Sequence, residues 1–251
     1  MKYDRQKEML SYIANNKSVR NEDLLEHFDI SIQTLRRDLK KFEDEGYIKK
    51  VYGGVLFNDE SDQEGSANSR AERERENSEA KEYIGQLAAS LVEDGDVIFV
   101  DTGTTTYRML KYMRDLKNVT VISHCMDVMT VLRGMSNLTG ICVGGVLQHD
   151  SGTFIIDSNF YPYNYDKAFI STVGISTTKG LTNTNLYEGA TKQHVINQSL
   201  KTYITADHSK FDVVAYNHFA DLDSIAGVIT DCKPPEKFVN HFENNHIRLI
   251  Y

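Results

Sequence analysis

The run Ser31-Ile32-Gln33-Thr34-Leu35-Arg36-Arg37-Asp38-Leu39 decides how the first part of this chain is read. Ser31 is a strong N-cap type, and Gly46 is a typical helix stop. Between them Ile32, Leu35, Leu39 and Phe42 fall within one arc at 100° per residue, which predicts a core face, with Asp38 to the side. The opposite arc holds Gln33, Thr34, Arg37, Lys40 and Lys41, and Arg36 lies on its flank. A basic arc on an isolated helix is ordinarily no more than a solvated face. This one carries no acid until Asp44, and its order is directional: amide and hydroxyl groups in the first turn, cations one and two turns later. A recognition helix needs that order, because its first turn meets base edges while later cations neutralise phosphates. Gln33 suits an adenine edge, and Arg36 or Arg37 suits guanine or phosphate.

Working outward, two shorter helical patterns precede this one. The first spans roughly Asp4 to Asn15, with Met9, Leu10 and Ile13 at helical spacing. The second starts at Asn21, read as an N-cap, and runs through Leu24, Leu25 and Phe28. Three short helices joined by polar turns, the last being Asp29-Ile30-Ser31, suggest a helix-turn-helix. Beyond Gly46, Tyr47–Phe57 reads as a hairpin around Gly53-Gly54, making the unit a winged helix-turn-helix. Lys49, Lys50 and Tyr52 on that wing are placed to touch phosphates, or they close the head's core; the two roles are compatible.

Asn58–Ser69 contains no large apolar residue and cannot offset the entropy of ordering, so 58–77 reads as a polar linker. The charged run Arg70–Glu79 either continues it or forms an exposed helix. The division is therefore 1–57, linker 58–77, and a body over 78–251. It reapportions the charge. The whole chain has 28 Lys+Arg against 36 Asp+Glu, a net of −8, which argues against coating nucleic acid by bulk charge. Residues 1–57 hold 11 Lys+Arg and 10 Asp+Glu, so the head carries +1 and the remainder −9.

From residue 78 apolar runs alternate with amphipathic stretches. After a helix over Glu79–Val92 come Val97–Val100, Val119–Ile122, Ile141–Val143, Ala168–Ser171, Tyr203–Thr205, Gly227–Thr230 and Ile247–Ile250. Helical stretches over Tyr107–Met113, Val128–Leu132, Ala190–Leu200 and Glu236–Phe242 separate several of them. Such a pattern predicts an α/β domain with a largely parallel sheet covered on both faces, and ligands bind at the carboxyl ends of such strands. One loop lies there: Asp101-Thr102-Gly103-Thr104-Thr105-Thr106, directly after a strand and opening the next helix. Its backbone N–H groups and hydroxyls suit an anion, although Thr-rich caps are also common for purely structural reasons. No Lys follows the glycine, so it is no triphosphate loop. Other strand-end groups are Ser123-His124, Gly144-Gly145, Gly174, Glu188 with Lys192, and Asp207-His208-Ser209-Lys210. Lys210 suits a phosphate or equally a surface salt bridge, and Glu188 and Lys192 fit an i,i+4 helix pair.

The run Ser31–Leu39, followed by Glu43, Gly46 and Tyr52-Gly53-Gly54, resembles the N-terminal signature of DeoR-family bacterial transcriptional repressors. The body resembles the effector domain of that family. The resemblance implies a Rossmann-like fold in the superfold of ribose-5-phosphate isomerase, CoA transferases and glucosamine-6-phosphate deaminase. It carries over Asp101, Gly103, Thr104, Thr105, Gly174, Gly180, Glu188, Lys192, Asp207, Lys210 and Ile229-Thr230-Asp231. It also implies double-stranded operator DNA as one partner, a phosphorylated sugar or polyol as effector, and a dimer or tetramer. Departures fall near the expected pocket. Ser123-His124 stands where the family often has Thr-Asn, Asp150–Asp157 differs from the usual Gly-bearing segment, and Tyr52 replaces a common His. Lys179–Asn185 looks most like the branch that includes inositol-catabolism repressors.

Competing readings are weaker. A sugar-phosphate isomerase with an added head would need an acid/base carboxylate, for which Asp101, Glu188 or Asp207 is available; a reading head has no use in such an enzyme. A metalloprotein fits poorly, because His241 and His246 are five apart rather than four. Cys125, Cys142 and Cys232 are scattered, which suggests buried small residues in a reducing compartment rather than disulfides or zinc. No cofactor, catalytic residue or membrane segment is expected, and a cytoplasmic location is.

Overall fold

The helical periods of the head and the apolar runs of the body resolve, in a computed structural model, into two units, Met1–Ala67 and Asn68–Tyr251. The structure describes residues 2–16, 18–44, 47–51, 53–57, 70–148, 151–155 and 162–251.

The first unit contains α1 (Lys2–Asn16), β1 (Ser18–Arg20), α2 (Asn21–Phe28), α3 (Ile32–Asp44), β2 (Ile48–Val51) and β3 (Gly54–Phe57). The expected wing is the β2–β3 hairpin, with Val51 opposite Gly54. A third strand, β1, was not expected; it pairs antiparallel with β3 and makes the order β1-β3-β2. That pairing requires Gly54, since a Cβ there would lie 2.6 Å from the Val19 carbonyl oxygen. Asn21 is not the cap of α2: Arg20 holds that position without a side-chain cap bond, and the Asn21 amide donates to the Gly53 carbonyl at 2.7 Å. The turn after α2 depends on Asp29, whose left-handed φ of 46° lets its amide close on Leu25. Met9, Ile13, Val19, Leu24, Leu35, Leu39, Phe42, Ile48 and Val55 form the core. Two expectations for α3 change. Ile32 is 42% exposed, one turn beyond the end of that core, whereas Asp38 is fully buried. Gly46 and Tyr52 lie outside the described residues, as does the Asn58–Ser69 segment.

The second unit begins with α4 (Arg70–Arg75) and α5 (Ser78–Ala89), followed by β4 (Val97–Val100), a 3₁₀ helix over Thr106–Tyr112, β5 (Val119–Ser123), α6 (Met126–Leu132) and β6 (Leu138–Cys142). Then come β7 (Val146–Gln148), β8 (Thr153–Ile155), β9 (Tyr165–Ser171), β10 (Gly174–Ser176), β11 (Gly180–Asn183) and α7 (Leu186–Asn197). The chain ends with β12 (Ser199–Thr205), β13 (Asn217–Ala220), β14 (Gly227–Ile229), α8 (Glu236–Asn244) and β15 (Arg248–Ile250). Seven strands form one sheet in the order β15-β14-β12-β9-β4-β5-β6, and every neighbouring pair is parallel. Alternate residues feed two cores. Phe99, Ile122, Ile170, Ile204 and Val228 join one, while Ile98, Val121, Phe169, Tyr203 and Ile229 join the other. The α/β expectation holds. It missed the small antiparallel sheet β10-β11-β13 and the β7–β8 hairpin. The stretch expected as a helix over Tyr107–Met113 is the 3₁₀ segment. Among the described residues no helix is long and apolar enough to cross a membrane. Strand order reverses around β4 and β9, the kind of place where such sheets hold ligands.

Candidate functional site

On α3 the outward face is as expected at Gln33, Arg36, Arg37 and Lys40, all exposed. Ser31 and Thr34 are committed to the cap: the Thr34 amide donates to Ser31 Oγ at 3.3 Å, and the two hydroxyls lie 3.0 Å apart. Lys41 is half-buried, and its ammonium donates to Gln6 Oε1 at 3.2 Å, so it sits back from the face on which Lys40 stands. The helix is anchored through Asp38, which accepts from Arg5 Nη2 at 2.5 Å and from Gln6 Nε2 at 2.7 Å. Lys49 is exposed on β2, and Lys50 pairs with Glu43 at 2.9 Å.

In the second unit the loop after β4 meets the end of β9. Asp101 is completely buried; its Oδ2 accepts from the Ser171 amide (2.9 Å), Ser171 Oγ (2.6 Å) and Lys192 Nζ (2.6 Å). Lys192 also donates to the Ser171 carbonyl at 2.7 Å and Oγ at 3.0 Å. All three ammonium hydrogens are thus committed, and the i,i+4 pair with Glu188 gives way to a buried pair across the sheet. Burial pushes the Asp101 carboxyl up, but Lys192 and His124 outweigh it and hold the group at about 2. His124 is itself buried and stacked on Phe99 at 5.5 Å, and burial pushes its imidazole below the usual range. Gly103 is needed for close approach, since a Cβ would lie 2.3 Å from Ser171 Cβ. Thr102, Thr104, Thr105 and Thr106 are all buried, and Thr106 Oγ1 meets Thr205 Oγ1 at 2.7 Å.

A second group gathers at the end of β12. Asp207 Oδ1 accepts from Asn77 Nδ2 at 3.1 Å and from the Ser209 amide at 3.0 Å. Burial pushes Asp207 up, yet the Ser209 hydrogen bond, Lys210 and Lys81 leave it below the ordinary carboxylate range. Lys81 is buried and donates to the Arg73 carbonyl; burial pushes its ammonium down against the pull of Asp207. Arg73 interacts electrostatically with Glu188, whose carboxylate accepts from Asn183 Nδ2 at 3.0 Å. Lys210 is half-buried, with no hydrogen-bond or ion-pair partner for its ammonium among the described residues. Asp101 Oδ1 and Asp207 Oδ2 are both buried acceptors that receive no hydrogen bond among the described residues.

The other expected positions are placed differently. Ser123 is fully buried, its Oγ accepting from the Cys125 amide at 3.1 Å. Gly174 packs against the backbone of Val213, whose carbonyl oxygen would lie 2.2 Å from a Cβ. Gly145 is exposed between β6 and β7.

Both halves match family models: residues 5–61 the DeoR-like helix-turn-helix domain, and residues 76–232 the DeoR C terminal sensor domain. The chain belongs to the DeoR family. It is a DNA-binding transcriptional regulator with a sensor domain. Similar curated proteins include the HTH-type transcriptional regulator IolR of Bacillus subtilis, 30% identical over 99% of both chains. The lactose phosphotransferase system repressor of Staphylococcus aureus is 27% identical over 94% of both. Among solved structures, ribose 5-phosphate isomerase A from Methanocaldococcus jannaschii is 18% identical, covering 54% of this chain and 55% of that one at a TM-score of 0.41.

In this DeoR-family chain the sequence reading missed the cations on α4 and α5. Residues 70–77, read as the end of a linker, pack on the sensor. Arg70 donates to the Thr102 carbonyl at 2.8 Å and pairs with Asp127 at 2.5 Å, and Arg108 reaches the Glu74 carbonyl at 2.8 Å. Ser171 was also missed, because a serine ending a strand gives no chemical signal by itself.

Proposed function

We propose that this DeoR-family regulator is a cytoplasmic repressor of a carbohydrate-catabolic operon, not an enzyme, and that a phosphorylated sugar or polyol controls its operator binding. One observation carries the effector reading. Lys81 and Lys210 gather at Asp207, and Arg73 faces Glu188 on the segment whose carbonyl Lys81 holds; Asp207, and Asp101 on the loop after β4, each keep a buried acceptor unfilled among the described residues. Cations suit a phosphate dianion, and unfilled acceptors suit hydroxyl donors, so a ligand bearing both answers the site. The name of the staphylococcal lactose phosphotransferase system repressor points the same way. Asp101–Thr106, Ser123, His124, Gly145, Gly174, Glu188 and Lys192 complete the proposed pocket and its frame. In the reader, Gln33, Arg36, Arg37, Lys40, Lys49 and Tyr52 form the proposed DNA face, with the Ser31–Thr34 cap at the start of α3 and Lys41 behind Lys40 as its proposed margin. Pairing of heads in a dimer or tetramer would match repeated half-sites.

Arg37→Ala is expected to cost about 1–3 kcal/mol of operator affinity and to relax base preference at one position. Lys40→Ala should instead weaken binding evenly across sequences and reduce the salt slope by about one. Electrophoretic mobility titrations at several salt concentrations separate the two, and parental affinity in both variants would remove the assigned face. For the pocket, a sugar or polyol phosphate at ~100 times its dissociation constant should stabilise the chain by ~2.7 kcal/mol in thermal unfolding. Lys210→Ala should lose most of that gain. A panel of phosphates that leaves the melting temperature unmoved would discard the effector class, and turnover of one of them would restore the isomerase reading.

A further inference from the structure

The parallel pairing of β12 with β14 sets Thr205 beside Ile229, so the loops leaving the two strands emerge side by side. One loop carries His208 and the other carries Asp231 and Cys232. A nitrogen of His208, a carboxylate oxygen of Asp231 and the Cys232 sulfur all lie within 4.8 Å of one another. We propose that His208, Asp231 and Cys232 form a binding site for a soft divalent cation of the zinc type at this edge of the sensor sheet.

The donor set argues for the class of ion. A thiolate and an imidazole select zinc-like metals over magnesium or calcium, which take oxygen donors. Three protein ligands are also the number found where zinc keeps a fourth position open to solvent or a small molecule. Preorganisation comes from Asp231, which accepts from the His208 amide and faces His208 Nδ1, each at 2.7 Å. The carboxylate is only 14% exposed and the imidazole 54%, so the donors face solvent from a fixed base and an ion can enter without unfolding. Neither His208 nor Cys232 has a role in the pocket proposed above. The site nevertheless shares a turn with it: His208–Lys210 is one 3₁₀ turn, capped by Asp207. An ion bridging His208 to the β14 loop would therefore clamp the turn that carries Lys210.

Cobalt(II) is the probe, added to the metal-free full-length chain and followed by absorption. The expected result is a thiolate-to-cobalt charge-transfer band at one equivalent, displaced by zinc. Cys232→Ser should abolish the band, while Cys142→Ser, at the other exposed cysteine, should keep it. His208→Ala should weaken cobalt binding by more than about tenfold. Because the side chains of His208 and Cys232 are exposed, circular dichroism of these variants should match the parent. Absence of a band in the parent, or its survival in Cys232→Ser, overturns the site. Neither result touches the phosphate reading, which Lys210→Ala tests alone.

Discussion

Lys192→Ala is expected to destabilise the sensor unit by about 3–5 kcal/mol, because it removes one partner of a buried pair and leaves the other charged. The side chains of Asp101 and Lys192 are 0% and 3% exposed, and 2.6 Å separates their charged atoms. The loss should exceed that of removing both: a double Asp101→Leu, Lys192→Met variant should recover much of the stability, since no lone charge then remains. The pair also predicts an acid limb. Asp101 is held at about 2 against a usual value of 3.8, so it contributes roughly 2 kcal/mol that is present above about pH 4. The sign follows from the depressed carboxyl: unfolding releases it to a higher pKa, so protons favour the unfolded chain. That contribution should fade as pH drops from about 4 through about 2, and Asp101→Asn should lack the limb. Urea titrations at neutral and acid pH measure both effects. Parental stability for Lys192→Ala would refute the role assigned to the pair.

Asp38→Ala in the head is the second large effect, expected at about 3 kcal/mol. Asp38 is wholly buried on α3, and its loss strands Arg5 and Gln6, the two groups of α1 that tie it to α3. Arg5 keeps partial access to water, with 26% of its side chain exposed, so the cost should fall at the low end of the range for buried pairs. Asp38→Asn keeps an acceptor for Gln6 and should lie between parent and Ala. Hydrogen exchange along α3 measures the loss locally. If protection of Leu39 and Phe42 were unchanged in Asp38→Ala, the anchor would have to lie elsewhere.

These two carboxylates also mark where sequence reading stops. Periodicity placed Leu35, Leu39 and Phe42 inside correctly, because apolar burial follows the helix period. It put Asp38 at the side and Ile32 inside, and both assignments failed for one reason: a helical wheel does not know where neighbouring elements end. Arg5 and Gln6 come from the first helix, more than 30 residues away. Asp101 was picked out by its place after a strand, but Lys192 could not be assigned to it. The alternative Glu188 pair looked equally good along one helix, and only the β4–β9 adjacency brings Ser171 and Asp101 together. Charged residues in a polar stretch misled in the opposite sense. Arg70 and Arg73 lay in a charged run read as linker or exposed helix, yet they are drawn in by the Thr102 carbonyl, Asp127 and Glu188. Cysteine count misled more mildly: Cys125 is buried as expected, whereas Cys142 and Cys232 are exposed.

The all-parallel arrangement of the large sheet bears on the order in which the protein comes into being. Each pairing must wait for a crossover, and joining β4 to β9 brings Ile98 beside Lys167, across a long intervening segment. Topologies of that kind fold slowly, whereas a small unit of short helices and a hairpin folds fast. Synthesis adds to the disparity, since the first unit leaves the ribosome before the last sheet strand has been made. During that interval the first unit can already be folded while the sheet of the second is still incomplete. The sheet is complete only when β15, made last of its seven strands, pairs with β14 at the edge.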